Sequence, residues 1–138
     1  MPLNTYSETV RRAIAEELPD LLPGLREQAD GSLRLEVRSP SGRKLWLSTG
    51  GDEVIVGFDL HHQHFGYPAN PDAEYDVAQA ILYIRNLMSG RYQIAVWRRD
   101  GRFVMSETIE GATVPPLASR SWIERWFLRG CSVEIHAW

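Results

Sequence analysis

The chain has 138 residues, 43% of them hydrophobic and 24% charged, the composition of a folded globular protein rather than a disordered one. That length fits a single domain, residues 1–138, which buries about 70% of its unfolded surface without metal or disulfide staples. A net charge of −3 gives no general attraction to phosphate, and the lone Cys131 excludes an internal disulfide.

No run of about 18 apolar residues offers a membrane span, and no apolar leader opens the chain. A cytoplasmic protein with no membrane partner is therefore expected. Thr5-Tyr6-Ser7-Glu8 has the form of a capping box and predicts a helix start. Val10, Ala13, Ile14 and Leu18 follow at helical spacing. Pro19 and Pro23-Gly24 close that helix, and Leu21, Leu22 and Leu25 return the chain to the core.

From Ser32 the period falls to two, with Leu33, Leu35 and Val37 alternating with Arg34, Glu36 and Arg38. Leu45 and Leu47 continue the pattern in a second strand and residues 54–58 form a third. The short turns between them predict an antiparallel meander. A histidine-rich connector, residues 59–67, then leads to a helix start at Asn70-Pro71-Asp72. The apolar stripe of that long helix is Val77, Ala78, Ile81, Leu82, Ile84 and Met88, and Gly90 ends it.

Two β-rich runs, residues 92–97 and 103–108, flank Asp100-Gly101, a tight hairpin signal. At the C-terminal end, Ser121-Trp122-Ile123-Glu124 could be a capping box, with Trp126 and Phe127 continuing at helical spacing. The aromatic content favours strand-turn-strand instead, turning at Arg129-Gly130 and facing Cys131, Val133 and Ile135 inward. The expected fold is α+β: an N-terminal helix, an antiparallel sheet of about six to seven strands, and one long helix packed on that sheet.

Residues 52–76 hold six carboxylates (Asp52, Glu53, Asp59, Asp72, Glu74 and Asp76), three of the four histidines, and no Lys or Arg. Asp59-Leu60-His61-His62-Gln63-His64 is the cluster with metal-ligand residue types, and it carries a second reading, a metal-binding protein or metal-dependent enzyme. Strand alternation places His62 and His64 on one face and Asp59 and His61 on the other, short of the three or four convergent ligands zinc requires. No metal or other cofactor is therefore assigned.

No G-x-S-x-G elbow is present. Cys131 reads as an inert core thiol, since no basic residue except Arg129 lies beside it to lower its pKa, so no catalytic residue is assigned. Arg98, Arg99 and Arg102, beside Trp97 and Phe103, support a third reading, a nucleic-acid-binding hairpin. A solvated charged turn accounts for the same residues.

The run Gly57-Phe58-Asp59, His61, His64-Phe65, followed by a helix, a hairpin and Arg120-Ser121-Trp122, resembles a family of small bacterial immunity proteins. Members of that family protect the producing cell from polymorphic toxins of contact-dependent, type VI or Rhs-type systems. The resemblance implies a non-catalytic, stoichiometric inhibitor whose partner is a cognate toxin domain. Asp52, Glu53, Asp59, His61, His62, His64, Tyr67, Glu74 and Asp76 are the candidate partner-binding residues, their charge suited to steering toward a basic surface.

Overall fold

A computed structural model describes residues 1–67 and 69–138. Helix α1 (Thr5–Glu17) begins one residue earlier in its capping than the sequence suggests. Asn4, not Thr5, accepts the Ser7 N–H at 2.8 Å, satisfying one of the donors left open at a helix start. A 3-10 turn (Pro19–Gly24) follows, with Leu21 buried.

Five antiparallel strands then form a meander in sequence order: β1 (Leu25–Glu27), β2 (Leu33–Arg38), β3 (Lys44–Thr49), β4 (Val54–Phe58) and β5 (His61–Phe65). The histidine connector is thus itself a strand. It pairs with β4 from Val54↔Phe65 to Phe58↔His61, so backbone bonding rather than apolar alternation defines it.

Helix α2 (Ala73–Met88) is capped by Asp72, whose side chain accepts the Tyr75 N–H, rather than by Asn70. Its buried positions are Asp76, Val77, Ala80, Ile81, Tyr83, Ile84 and Leu87, while Ala78 and Leu82 face solvent. The core-facing stripe is therefore rotated from the expected one. Gly90 takes the left-handed conformation at φ 78 and its N–H reaches Leu87 O, as a C-terminal glycine should.

The second half forms its own sheet, in the order β7-β6-β8, from β6 (Tyr92–Arg99), β7 (Arg102–Glu110) and β8 (Ser132–His136). The α+β class is as expected, but the eight strands among the described residues divide into sheets of five and three. Asp100 and Gly101 turn the β6–β7 hairpin with φ of 50 and 74, the positive values of a primed turn.

Residues 121–128 are not a strand. Ser121 and Glu124 close a capping box at the start of helix α3 (Trp122–Leu128). Cys131 lies outside β8 and is half-buried, Val133 is exposed, and His136 is the residue of β8 that enters the interior.

One hydrophobic cluster joins the two sheets. The inner face of the five-stranded sheet supplies Leu33, Leu35, Leu45, Leu47, Val54, Val56 and Phe58; α1 adds Val10 and Ile14, α2 adds Ile81 and Ile84, and β6 adds Ile94 and Val96. Each buried aliphatic side chain contributes about 2 kcal/mol of transfer free energy. By alternation Ala95 and Trp97 lie on the other face of β6, toward Arg120, whose guanidinium sits 5.2 Å from the Trp97 ring centre.

On the outer face of the larger sheet, Trp46 lies across Gly57. A Cβ added at Gly57 would fall 1.9 Å from the indole. No helix among the described residues is long and apolar enough to cross a membrane.

Candidate functional site

The acidic stretch does not form one negative surface, because its carboxylates find partners in different parts of the molecule. Asp76, placed by the sequence among the partner-binding acids, is buried and accepts the Tyr6 hydroxyl at 2.6 Å. Burial first, then that hydrogen bond and the Asp76 charge, push the Tyr6 phenol up to about 12. Glu74 pairs with Arg12 on α1, and Glu53 meets His64 Nδ1 at 2.8 Å. Asp52 is half-buried, and Tyr67 stands 67% exposed.

The three clustered histidines separate as alternation requires. His62 and His64 share the outer face, their rings 5.2 Å apart, and His62 lies 6.4 Å from Trp46. His61 faces the other way, between Ser106 Oγ at 2.8 Å and Thr108 Oγ1 at 3.3 Å. Burial, followed by the neighbouring His62, lowers its pKa. A neutral ring with one donor and one acceptor nitrogen suits two hydroxyl partners. Thr108 Oγ1 also meets Tyr83 OH at 2.7 Å, completing a polar seam between β5, β7 and α2.

Asp59 sits at the β4–β5 turn with φ 56. One of its oxygens lies 2.9 Å from Arg43 Nη1 and 2.6 Å from His136 Nδ1. The second contact is close but off the line of a hydrogen bond, for Nδ1 has no partner of that geometry among the described residues. His136 Nε2 faces Glu134 at 3.2 Å, and Glu134 also pairs with Arg98. His136 was the residue with no sequence signal: it lies 77 positions from Asp59, beyond any local spacing rule. Among the described residues no three His, Cys, Asp or Glu side chains come together to hold a metal ion.

A different kind of surface lies at the far end of the small sheet. Arg120 donates to both oxygens of Glu107, at 3.0 and 2.5 Å, and the Trp97 indole donates to the same carboxylate at 3.4 Å. Those guanidinium bonds hold the Glu107 carboxyl below the usual carboxylate range. Arg120 thereby anchors the residue before the cap of α3.

The opposite end of α3 is fixed by Arg99, which donates to the carbonyls of Phe127 and Arg129. Between these fixed ends only Leu128 is buried. Trp122 is 73% exposed, Trp126 70%, Ile123 57% and Phe127 48%. An open cleft of ≈ 570 Å³ lined by Arg99, Asp100, Arg102 and Val104 lies at the adjoining hairpin.

No family model, curated protein or solved structure matches this chain. The residues that carry the sequence resemblance mostly serve this fold internally: Gly57 beneath Trp46, Phe58 in the core, Asp59 and His61 at the seam between sheets, Arg120 on Glu107, Ser121 as a cap. Trp122 and His64 are the large side chains among them that stand in solvent, and His64 is held by Glu53. The sequence did contain the signal for this surface, the Ser121-x-x-Glu124 box that holds Trp122 and precedes Trp126, but the strand reading hid it.

Proposed function

We propose that this protein is a non-catalytic, stoichiometric inhibitor of a bacterial toxin domain, an immunity protein, and that it engages its partner through α3. The observation that carries the reading is the apolar surface of that helix. Four of its seven residues are large apolar side chains between 48 and 73% exposed, although burial of each would be favourable by about 2 kcal/mol or more. Contiguous exposed apolar patches mark interaction sites, and tryptophan is among the residue types that dominate binding energy at interfaces.

The helix is held at both ends by Arg120 and Arg99, so the anchors are presented on a fixed support. Little ordering is then left to oppose binding. The placement of the acidic stretch points the same way, since Asp59, Glu53, Glu74 and Asp76 are already partnered within the chain.

Co-expression with the toxin domain encoded beside this gene tests the proposal. The expected outcome is restored growth and a stable complex on size exclusion. The double variant Trp122→Ala/Trp126→Ala should weaken the complex by about 100-fold or more while leaving the urea midpoint unchanged, because neither side chain belongs to the core. Failure to protect against the neighbouring toxin, or a double variant that binds like the parent, overturns the reading.

A further inference from the structure

Three arginines on or near α3 have no carboxylate of their own. Arg102 lies at the start of β7, paired in register with Arg99. Arg125 is in the helix and Arg129 directly follows it. All three are exposed, and among the described residues none makes a salt bridge. Arg11, Arg12, Arg34, Arg43 and Arg85 each meet a carboxylate. Arg26, Arg38 and Arg91 are also exposed and outside the salt bridges among the described residues, so what distinguishes Arg125 and Arg129 is the exposed aromatic face they share a segment with.

The acids near α3 are already engaged. Glu124 closes the capping box with Ser121, Glu107 is held by Arg120, and Glu134 faces Arg98 and His136. Asp100 at the hairpin tip is exposed and outside these pairs. The unmatched charge at this end is therefore positive on a chain whose net charge is −3.

We infer that the partner surface seated on α3 is acidic: a protein recess that takes Trp122, Trp126 and Phe127 and is rimmed by Asp or Glu side chains reaching Arg102, Arg125 and Arg129. The inference rests on the docking reading of α3 given above and adds the chemistry of the partner. Burying the aromatic face strips water from the nearby guanidiniums. A basic rim would set like charges together at that moment, whereas carboxylates meet the guanidinium fork with paired hydrogen bonds. A protein fits the patch better than a nucleic-acid strand, because the aliphatic Ile123 exposed among the aromatics fills a protein recess but gives a base nothing to stack on.

The test measures association of the full chain with the toxin domain encoded beside its gene. The parent, Trp122→Ala/Trp126→Ala, and the reversal Arg102→Glu/Arg125→Glu/Arg129→Glu are compared. For the parent, the association rate should fall about tenfold between about 20 and 300 mM salt. The reversal should cut the low-salt rate by about 100-fold and abolish that salt dependence, with dissociation changing far less. The milder Arg102→Gln/Arg125→Gln/Arg129→Gln variant should fall between the two and guards against a reversal that misfolds.

A reversal that binds as fast as the parent, or faster, overturns the acidic-partner inference. If the tryptophan variant has then lost binding, the docking reading survives alone. If both variants bind like the parent, the docking reading falls too. Tight binding of a labelled oligothymidylate of about 20 nucleotides, lost on charge reversal, overturns the inference in favour of a nucleic-acid ligand.

Discussion

Tyr6 and Asp76 meet across 70 positions of sequence, joining the first turns of α1 and α2 by a buried hydrogen bond of 2.6 Å. The phenol is raised from 10.0 to about 12. A group whose pKa is higher in the folded state than in the unfolded chain holds its contribution below the unfolded value and loses it on passing through the folded one. Stability should therefore be flat in this respect up to about pH 10 and fall as pH approaches about 12. Urea midpoints measured across that window check it, and Tyr6→Phe should flatten the fall. Tyr83, also raised by burial, keeps a residual slope in the variant. At neutral pH Tyr6→Phe leaves the Asp76 carboxyl without its donor and should cost about 1–3 kcal/mol. An unchanged midpoint there counts against the pair. The sequence placed Asp76 at a helix start, where the dipole accounts for a carboxylate. It gave no sign that this position also falls on the buried side of α2, four residues before Ala80.

At the scale of elements, legibility followed local patterns. Helix α2 and strands β2 and β3 set apolar against polar residues at one period, while β4 and the β6–β7 hairpin are β-rich runs bounded by turn residues, and each was readable. Two elements were missed. Strand β5 is His-His-Gln-His-Phe, with no apolar alternation, and exists through its ladder with β4. Helix α3 does carry a helical stripe, Trp122, Ile123, Trp126 and Phe127, but turns it outward, and its aromatic composition pointed to a strand. Seven residues are too few for a helix to hold itself in water, and α3 depends on its capping box, buried Leu128, and Arg99 on its final carbonyls. Arg99→Ala should fray the last turn by about 1 kcal/mol. Hydrogen exchange of the amides of residues 125–128 should then quicken while the global midpoint barely moves. Unaltered exchange there means that the guanidinium is not what holds the C-terminal end.

Across the whole molecule, the two sheets are tied at the edge where Asp59 receives Arg43 and His136, with the Ser41 hydroxyl on Ala137 O and Trp138 against Phe58 beside it. None of these ties follows from a local pattern, since they join the end of β8 and the two residues after it to positions about 77 to 96 residues earlier. Asp59 has two separable roles, because its carboxyl draws in two nitrogen groups and its backbone sits at φ 56, a conformation that costs most side chains energy and glycine little. Asp59→Asn keeps the tolerance for the turn and removes the charge. Asp59→Gly relaxes the turn and removes the whole side chain. If the carboxylate charge is what ties the sheets, both variants should lose about 2 kcal/mol, because Arg43 loses its anionic partner and the deeply buried His136 keeps only Glu134. Hydrogen exchange in β8 should rise well before that in β2 and β3, which keep their own ladder. A glycine variant as stable as the parent would instead assign Asp59 to the turn alone, and the sheets would then be held by the shared apolar cluster of Phe58, Ile94 and Val96.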